Sequence, residues 1–428
     1  MKTNTVLGFP AATVRLADAA ATASSSAAQP SASANPWYDP ATIGTFELNG
    51  LEVTPAMVAF RNRHQEETLA GNRTVQIRHG GYVRKLTQGK PLDVEVTVNG
   101  SLHTTQSYMY NAGMAGLIVV QDGVIRIEEY QYGNLPSSLN VIQSCTKTFT
   151  TTALGIALAE GLIGSIDDKA EKYIPELSGT DFGKITLRSL SDMTSGMDVP
   201  ADEAGLFAVY GSSDPDAALR LIASYKKRAE PGETYMYSNF NYYVLSVCIQ
   251  RAVEVPIEEF ITEKIWAPAG MQYDGFMRRT GAGQVDGHGG LAIALADMAR
   301  YGMFILDSYH GTGGPNLPSN WFEDIAHATT SATGFRSPDG SPEISSAAPN
   351  MGYQTGWWTQ PRNGSEYQLG DDLGFAAHGT YASTIFVVPG LNLIIATQAN
   401  YPVHFGDLFF WVQQYATGVA QAIREESL

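Results

Sequence analysis

Ser144 and Lys147, in "VIQSCTKTFTTTALGIALAEGLIG" (141–164), put a hydroxyl and an ammonium one helical turn apart within a segment otherwise patterned as a buried helix. Residues at i, i+3, i+4 and i+7 share a helix face, so Ser144, Lys147, Thr148 and Thr151 form one polar stripe. A lysine buried in this way must be paired, deprotonated, or both, because a low dielectric disfavours its charged form. A neutral amine there can accept the serine proton as the oxygen attacks a carbonyl carbon. The helix N-terminus favours negative charge near Ser144. The competing reading is an N-cap serine with a lysine reaching outward to water. S-x-x-K alone does not choose between them, and "SYKK" at Ser224 to Lys227 matches it equally well. That second match runs into "RAEPGE", a charged helix end where a lysine stays solvated.

Two more motifs carry suitable chemistry. "PGETYMYSNFNYYVLSVCI" sets Tyr237-Ser238-Asn239 between a Pro-Gly turn and an apolar helix, where a phenol and an amide suit proton handling and carbonyl positioning. The plainer reading is a surface tyrosine with Asn239 capping the helix. In "FAAHGTYASTIFVVPG", His378-Gly379-Thr380 opens a strand, and the small Gly379 lets a ligand approach backbone N–H groups able to hold an oxyanion.

The elements that must position these groups follow from periodicity. "AGLIVVQDGVIRIEEYQYG" reads as a hairpin through Asp122-Gly123, and "TIFVVPG" with "LNLIIATQA" as another through Pro389-Gly390. Helical pattern dominates 142–270, returns in "LAIALADMARYGMFIL" and closes the chain in "FFWVQQYATGVAQAIREE". Strands at both ends with helices between imply a sheet assembled from distant segments around a helical insertion. The expected organisation is a flexible Ala/Ser-rich leader (1–45), an N-terminal extension of short strands (46–110), an α/β domain (111–141 with 285–428) and a mainly helical domain (142–284).

The chain has 428 residues, 44% of them hydrophobic, enough for a sizeable core. A formal charge of −16 argues against nucleic acid and anionic membrane, both of which need a basic footprint. No uninterrupted run of eighteen apolar residues suggests a spanning helix. The first residues make a weak secretory signal, so a cytoplasmic location is expected, with a periplasmic one as the alternative. Cys145 and Cys248 both sit in apolar helical patterns and read as small buried hydrophobes. The histidines show no metal-ligand spacing, so neither a metal nor a cofactor is expected.

Taken in this order and spacing, the three motifs resemble the serine β-lactamase and penicillin-binding-protein superfamily. The likeness is nearer to its class C branch, with family VIII carboxylesterases and 6-aminohexanoate-dimer hydrolases. "LAEGLIGSIDDKAEKYIPEL", "ITLRSLSDMTSGM", "GHGGLAIALADMARYGMFIL" and "GYQTGWW" also resemble that branch, over about residues 113–400. The resemblance implies an α+β, β-lactamase/transpeptidase-like fold: an antiparallel sheet flanked by helices, an all-helical domain, and the active site between them. It implies Ser144 as acylated nucleophile, Lys147 as its base and Tyr237 as proton relay to the leaving group. Asn239 would hold the substrate's carbonyl side, and the N–H groups of Ser144 and Tyr381 would form the oxyanion hole. His288, in "GHGGL", falls where the branch places a cleft-lining residue.

Two departures matter. Class C β-lactamases carry Lys-Thr-Gly where this chain has His378-Gly379-Thr380, and that lysine is associated with the β-lactam carboxylate. The 6-aminohexanoate-dimer hydrolases share the tyrosine without an asparagine two residues on. The expected function is a cofactor-independent serine hydrolase of a small ester or non-peptide amide, with a homodimer as the one protein assembly left open. The rivals are a β-lactamase or D-amino-acid peptidase, and a penicillin-binding-like sensor that is acylated without turnover. The segment 197–234 is expected to overhang the cleft, with Asp198, Asp202 and Glu203 as candidate amine holders. Trp357 and Trp358 are candidates for the pocket wall, with one of them expected in the core.

Overall fold

The computed structural model describes residues 14–16, 46–48, 51–53, 55–65, 73–200, 204–326, 352–359, 374–400 and 405–426. Its main sheet has eight strands in the order Gly352–Gln354, Trp357–Thr359, Phe375–Gly379, Ser383–Val388, Leu393–Ala399, Met114–Gln121, Val124–Tyr130 and Thr87–Gln88. All neighbours pair antiparallel except the last two, which are parallel. Successive residues of a strand face opposite sides of a sheet, and two separate cores result. Ile118, Val120, Ile385, Val387, Ile394 and Ala396 enter one; Leu117, Val119, Phe386, Val388, Leu393 and Ile395 enter the other. Because both faces are covered, these strands read in the sequence as unbroken apolar runs.

The first core includes Met298, Ala299, Phe304 and Ile305 of the helix Leu295–His310 together with the helical part of the chain. The closing helix Phe405–Glu426 covers the other face with Tyr415, Ala416, Val419 and Ile423. A smaller four-stranded sheet, in the order Leu139–Val141, Ala292–Ala294, Gly275–Arg278 and Thr74–Ile77, leads the chain into the Ser144 segment. "LAIALADMARYGMFIL", expected as helix throughout, therefore begins as a strand. Ala292–Ala294 pairs with Leu139–Val141, and helix starts only at Leu295. The N-terminal extension, expected as strands, also holds the helices Pro55–Arg63 and Thr105–Asn111.

At the centre lies the helix Thr146–Ala159, buried from Thr146 to Ala157. Its buried threonines are satisfied: Thr150 donates to Gly287 O at 2.7 Å, Thr148 to Cys145 O at 2.9 Å, and Thr152 pairs with the Tyr301 hydroxyl at 2.9 Å. Phe149 stacks on Tyr301 with ring centroids 3.8 Å apart. Cys145 and Cys248 are buried free thiols.

Asp192, just after the helix Leu187–Ser191, ties this helical region to the sheet. Its carboxylate accepts the Thr355 N–H at 2.9 Å and the Gln354 amide at 2.8 Å, on the turn joining Gly352–Gln354 to Trp357–Thr359. Burial pushes its carboxyl up to about 6 in spite of these donors. Between pH 4 and 6 the folded chain thus keeps a proton that the unfolded chain, with an ordinary value of 3.8, has released. Stability from this group is greatest at acid pH and falls as pH rises through that window. Relative to Asp192→Asn, wild type should lose about 2 kcal/mol between pH 4 and pH 6.5. Urea unfolding of both proteins across that range measures it, and a pH-independent difference would contradict the raised value.

Candidate active site

The segment carrying Ser144 is not a continuous helix. Strand Leu139–Val141 ends, Gln143 takes a left-handed φ of 48°, and a 3-10 turn over Gln143–Cys145 precedes the helix at Thr146. A non-glycine residue in that region carries strain of the kind that concentrates at functional sites. The kink leaves Ser144 partly exposed at the helix mouth while Lys147, one turn deeper, is only 1% exposed.

Lys147 reaches back to the serine. Its Nζ lies 2.9 Å from Ser144 Oγ, 2.7 Å from Asn239 Oδ1 and 2.8 Å from His288 O. Asn239 is the first residue of the helix Asn239–Val253, and Ser238 caps that helix by accepting the Phe240 N–H at 3.2 Å. With the cap supplied by Ser238, the Asn239 amide is available to the lysine rather than to the helix end. The Tyr237 ring faces the amine, its centroid 4.7 Å from Nζ, with Tyr242 at 5.5 Å on another side. Trp358 stacks on Tyr237 at 6.2 Å. Both tryptophans are buried, but Trp358 backs the site whereas Trp357 stacks on Tyr301 in the core.

His288 contributes its backbone to the lysine, while its 4%-exposed ring pairs with the Tyr210 hydroxyl at 2.5 Å. Burial, together with Arg278 and Lys147, drives the imidazole well below its usual range, so it is neutral at physiological pH. The loop carrying it is braced by an Arg278–Asp286 ion pair at 2.5 Å and by the Gly289 N–H on Asp286.

The third motif ends the strand Phe375–Gly379. A Cβ on Gly379 would stand 2.2 Å from Ile142 O, so only glycine lets this strand close against the backbone leading to Ser144. Beyond it, Thr380 is exposed, and Tyr381 and Ala382 have left-handed φ of 69° and 70°. Among the described residues, neither the Ser144 nor the Tyr381 N–H meets a carbonyl outside its own turn. Backbone N–H donors of this kind are what an oxyanion requires. His378 is 4% exposed, paired through Nδ1 with Thr384 Oγ1 at 3.1 Å, and burial pushes it down to about 3. It therefore supplies no cation where the class C pattern has lysine.

The structure brings Ser144, Lys147, Tyr237 and Asn239 together and sets Gly379 against the strand entering that group. The second S-x-x-K is elsewhere: Ser224 bonds to Leu221 O at 2.6 Å and Lys227 is an exposed ion pair with Glu230. Asp198 is exposed on a short strand, and Asp202 and Glu203 lie outside the described residues. Two further residues also border the site. A Cβ on Gly356, whose φ is 85°, would stand 3.3 Å from Lys147 O, and Tyr210 holds the His288 ring. Among the described residues no group of three His, Cys, Asp or Glu suits a metal ion, and no helix is long and apolar enough to cross a membrane.

The beta-lactamase family model matches residues 103–408. The 6-aminohexanoate-dimer hydrolase of Paenarthrobacter ureafaciens is 23% identical over 300 residues, which cover 67% of this chain and 72% of the relative. Among solved structures, a protein assigned as a 6-aminohexanoate-dimer hydrolase from Bacillus anthracis aligns with a TM-score of 0.70 at 20% identity, covering 87% of this chain and 95% of its own. A class C beta lactamase from Rhodobacter sphaeroides aligns with a TM-score of 0.52 at 16% identity, over 74% of this chain and 97% of its own. At such identities these structures speak to the fold alone, an α+β arrangement of β-lactamase type.

Proposed function

The chain belongs to the beta-lactamase family of serine hydrolases, and from that premise we propose that it cleaves a small carboxylic ester or non-peptide amide through an acyl-enzyme on Ser144. The observation that carries this reading is the set of partners around Lys147 Nζ. Asn239 Oδ1 and His288 O are carbonyl oxygens and only accept, so each takes an N–H. Ser144 Oγ can donate or accept. In its amine form, with both N–H groups turned to the carbonyls, Lys147 directs its lone pair at the serine proton.

The chemistry then runs in two halves. Ser144 Oγ attacks the carbonyl carbon as its proton passes to Nζ, and the N–H groups of Ser144 and Tyr381 take the charge developing on oxygen. The C–O or C–N bond breaks while Tyr237 delivers a proton to the departing alcohol or amine and takes one in turn from the Lys147 ammonium, which returns to its amine form. Water, deprotonated by the same amine, then releases the acid and restores the serine.

The neutral imidazole at position 378 bears on the choice of substrate. A β-lactam carboxylate meets no cation there, which favours an uncharged ester or amide over a β-lactam. The similarity to the Paenarthrobacter hydrolase supports including linear amides. A panel of p-nitrophenyl esters of increasing chain length, 6-aminohexanoate dimer, a D-Ala-D-Ala peptide and nitrocefin tests this. Turnover of an ester or of the linear amide, with nitrocefin slowest, is the expected result. Preferential turnover of nitrocefin would reverse the assignment, and a stable adduct on Ser144 without turnover would make the protein a sensor.

A further inference from the structure

The helix Pro55–Arg63 precedes the segment matched by the family model, yet its side chains grip the segments that form the site. Its buried positions, Pro55, Val58, Ala59 and Asn62, are followed by the buried Gln65, spacing that puts one face against the body of the protein. Two of these five are amides. Asn62 donates to Asn400 Oδ1 at 2.8 Å, just past the strand Leu393–Ala399, and Gln65 donates to Gly290 O at 2.8 Å. Gly290 belongs to the loop whose His288 carbonyl holds Lys147. Arg63 donates to Asn134 Oδ1 at 2.9 Å, and Asn134 in turn accepts from Asn140 at 3.2 Å, in the strand that runs into the Ser144 turn. Arg61, half-buried, donates to the Tyr381 hydroxyl at 2.7 Å and lies over its ring at 5.4 Å. Among the described residues it meets no carboxylate.

A helix docked for stability alone would bury an apolar stripe. Buried amides contribute little net stability, but leaving one unpaired is costly, so they select a single docking position. We propose that this N-terminal helix is a working part of the active centre, with Arg61 and Gln65 as positioning residues. Arg61 fixes the strained Tyr381 turn that presents an oxyanion N–H, and Gln65 fixes the loop whose carbonyl aims Lys147. The inference rests on the function proposed above, since it assigns these residues to that site.

The test uses the full chain and a fluorophosphonate, from which Ser144 Oγ displaces fluoride, with labelling followed by intact mass. Arg61→Ala and Gln65→Ala should each slow labelling by about tenfold to a hundredfold, the scale expected when reacting groups are misplaced by an ångström or less. With an ester substrate the loss should fall on kcat rather than KM. Val58→Ala, which trims apolar packing from the same face, should lower Tm yet leave labelling within about twofold. Tyr381→Phe removes only the hydroxyl that Arg61 grips, so Arg61→Ala combined with it should label no more slowly than the slower single variant. Wild-type labelling rates in both Arg61→Ala and Gln65→Ala overturn the inference, as do losses that merely track Tm along with Val58→Ala. If wild type itself is not labelled at Ser144, the proposed function fails and the positioning role falls with it.

Discussion

Ser144→Ala is expected to lower kcat for any ester or amide that wild type turns over by about 10⁴- to 10⁶-fold, the range for deleting a nucleophile that acts as one unit with its base. The fold should survive. Ser144 is only partly buried, and its hydroxyl is joined to the rest of the protein through Lys147 Nζ at 2.9 Å. Losing that bond leaves the amine its two carbonyl acceptors, so stability should change by no more than about 1 kcal/mol. Steady-state rates beside calorimetric unfolding separate the two effects, and intact mass should show the acyl adduct on wild type but not on the variant. Retained turnover would move the nucleophile elsewhere.

How far the sequence alone reaches is set by what each element uses to define itself. The hairpins of the main sheet are legible because local signals mark them. Asp122 and Gly123 adopt φ of 53° and 75° between two apolar runs, and Pro389-Gly390 breaks the runs that become Ser383–Val388 and Leu393–Ala399. The kink before Ser144 is not legible, because apolar spacing carries no information about the sign of one dihedral at Gln143. Ala292–Ala294 reads as helix for a related reason: three small apolar residues suit either state, and a partner strand some 150 residues away decides. The helix Pro55–Arg63 is hidden because its buried face offers only Pro55, Val58 and the small Ala59 before the amide Asn62 interrupts the apolar period.

The site divides in the same way. Ser144, Lys147, Tyr237 and Asn239 stand out by side-chain type at short spacing. The group that completes the lysine's setting, His288 O, is a backbone atom, and any residue at 288 would supply it. The imidazole attracts attention in the sequence, yet in the fold it is buried against Tyr210. Asp192 and Arg61 act on partners more than 160 residues distant, a relation that only the folded chain displays.

Removing the amine at 147 should cost nearly as much rate as removing the serine, about 10³- to 10⁵-fold, because the hydroxyl then has no base within reach. Two substitutions separate the chemistry from the packing. Lys147→Met keeps most of the stem in a side chain that is 1% exposed, whereas Lys147→Ala leaves a cavity between the Tyr237 and Tyr242 rings. Both leave Asn239 Oδ1 and His288 O short of a donor, at about 1–3 kcal/mol each, and the cavity adds about 2–5 kcal/mol to the alanine variant alone. Lys147→Ala should therefore melt lower than Lys147→Met although both are inactive. A small primary amine such as methylamine can enter the alanine cavity, bond to the two carbonyls and present its lone pair to Ser144. Added methylamine should then restore part of the rate to Lys147→Ala in a saturable manner and none to Lys147→Met, where the thioether fills the space.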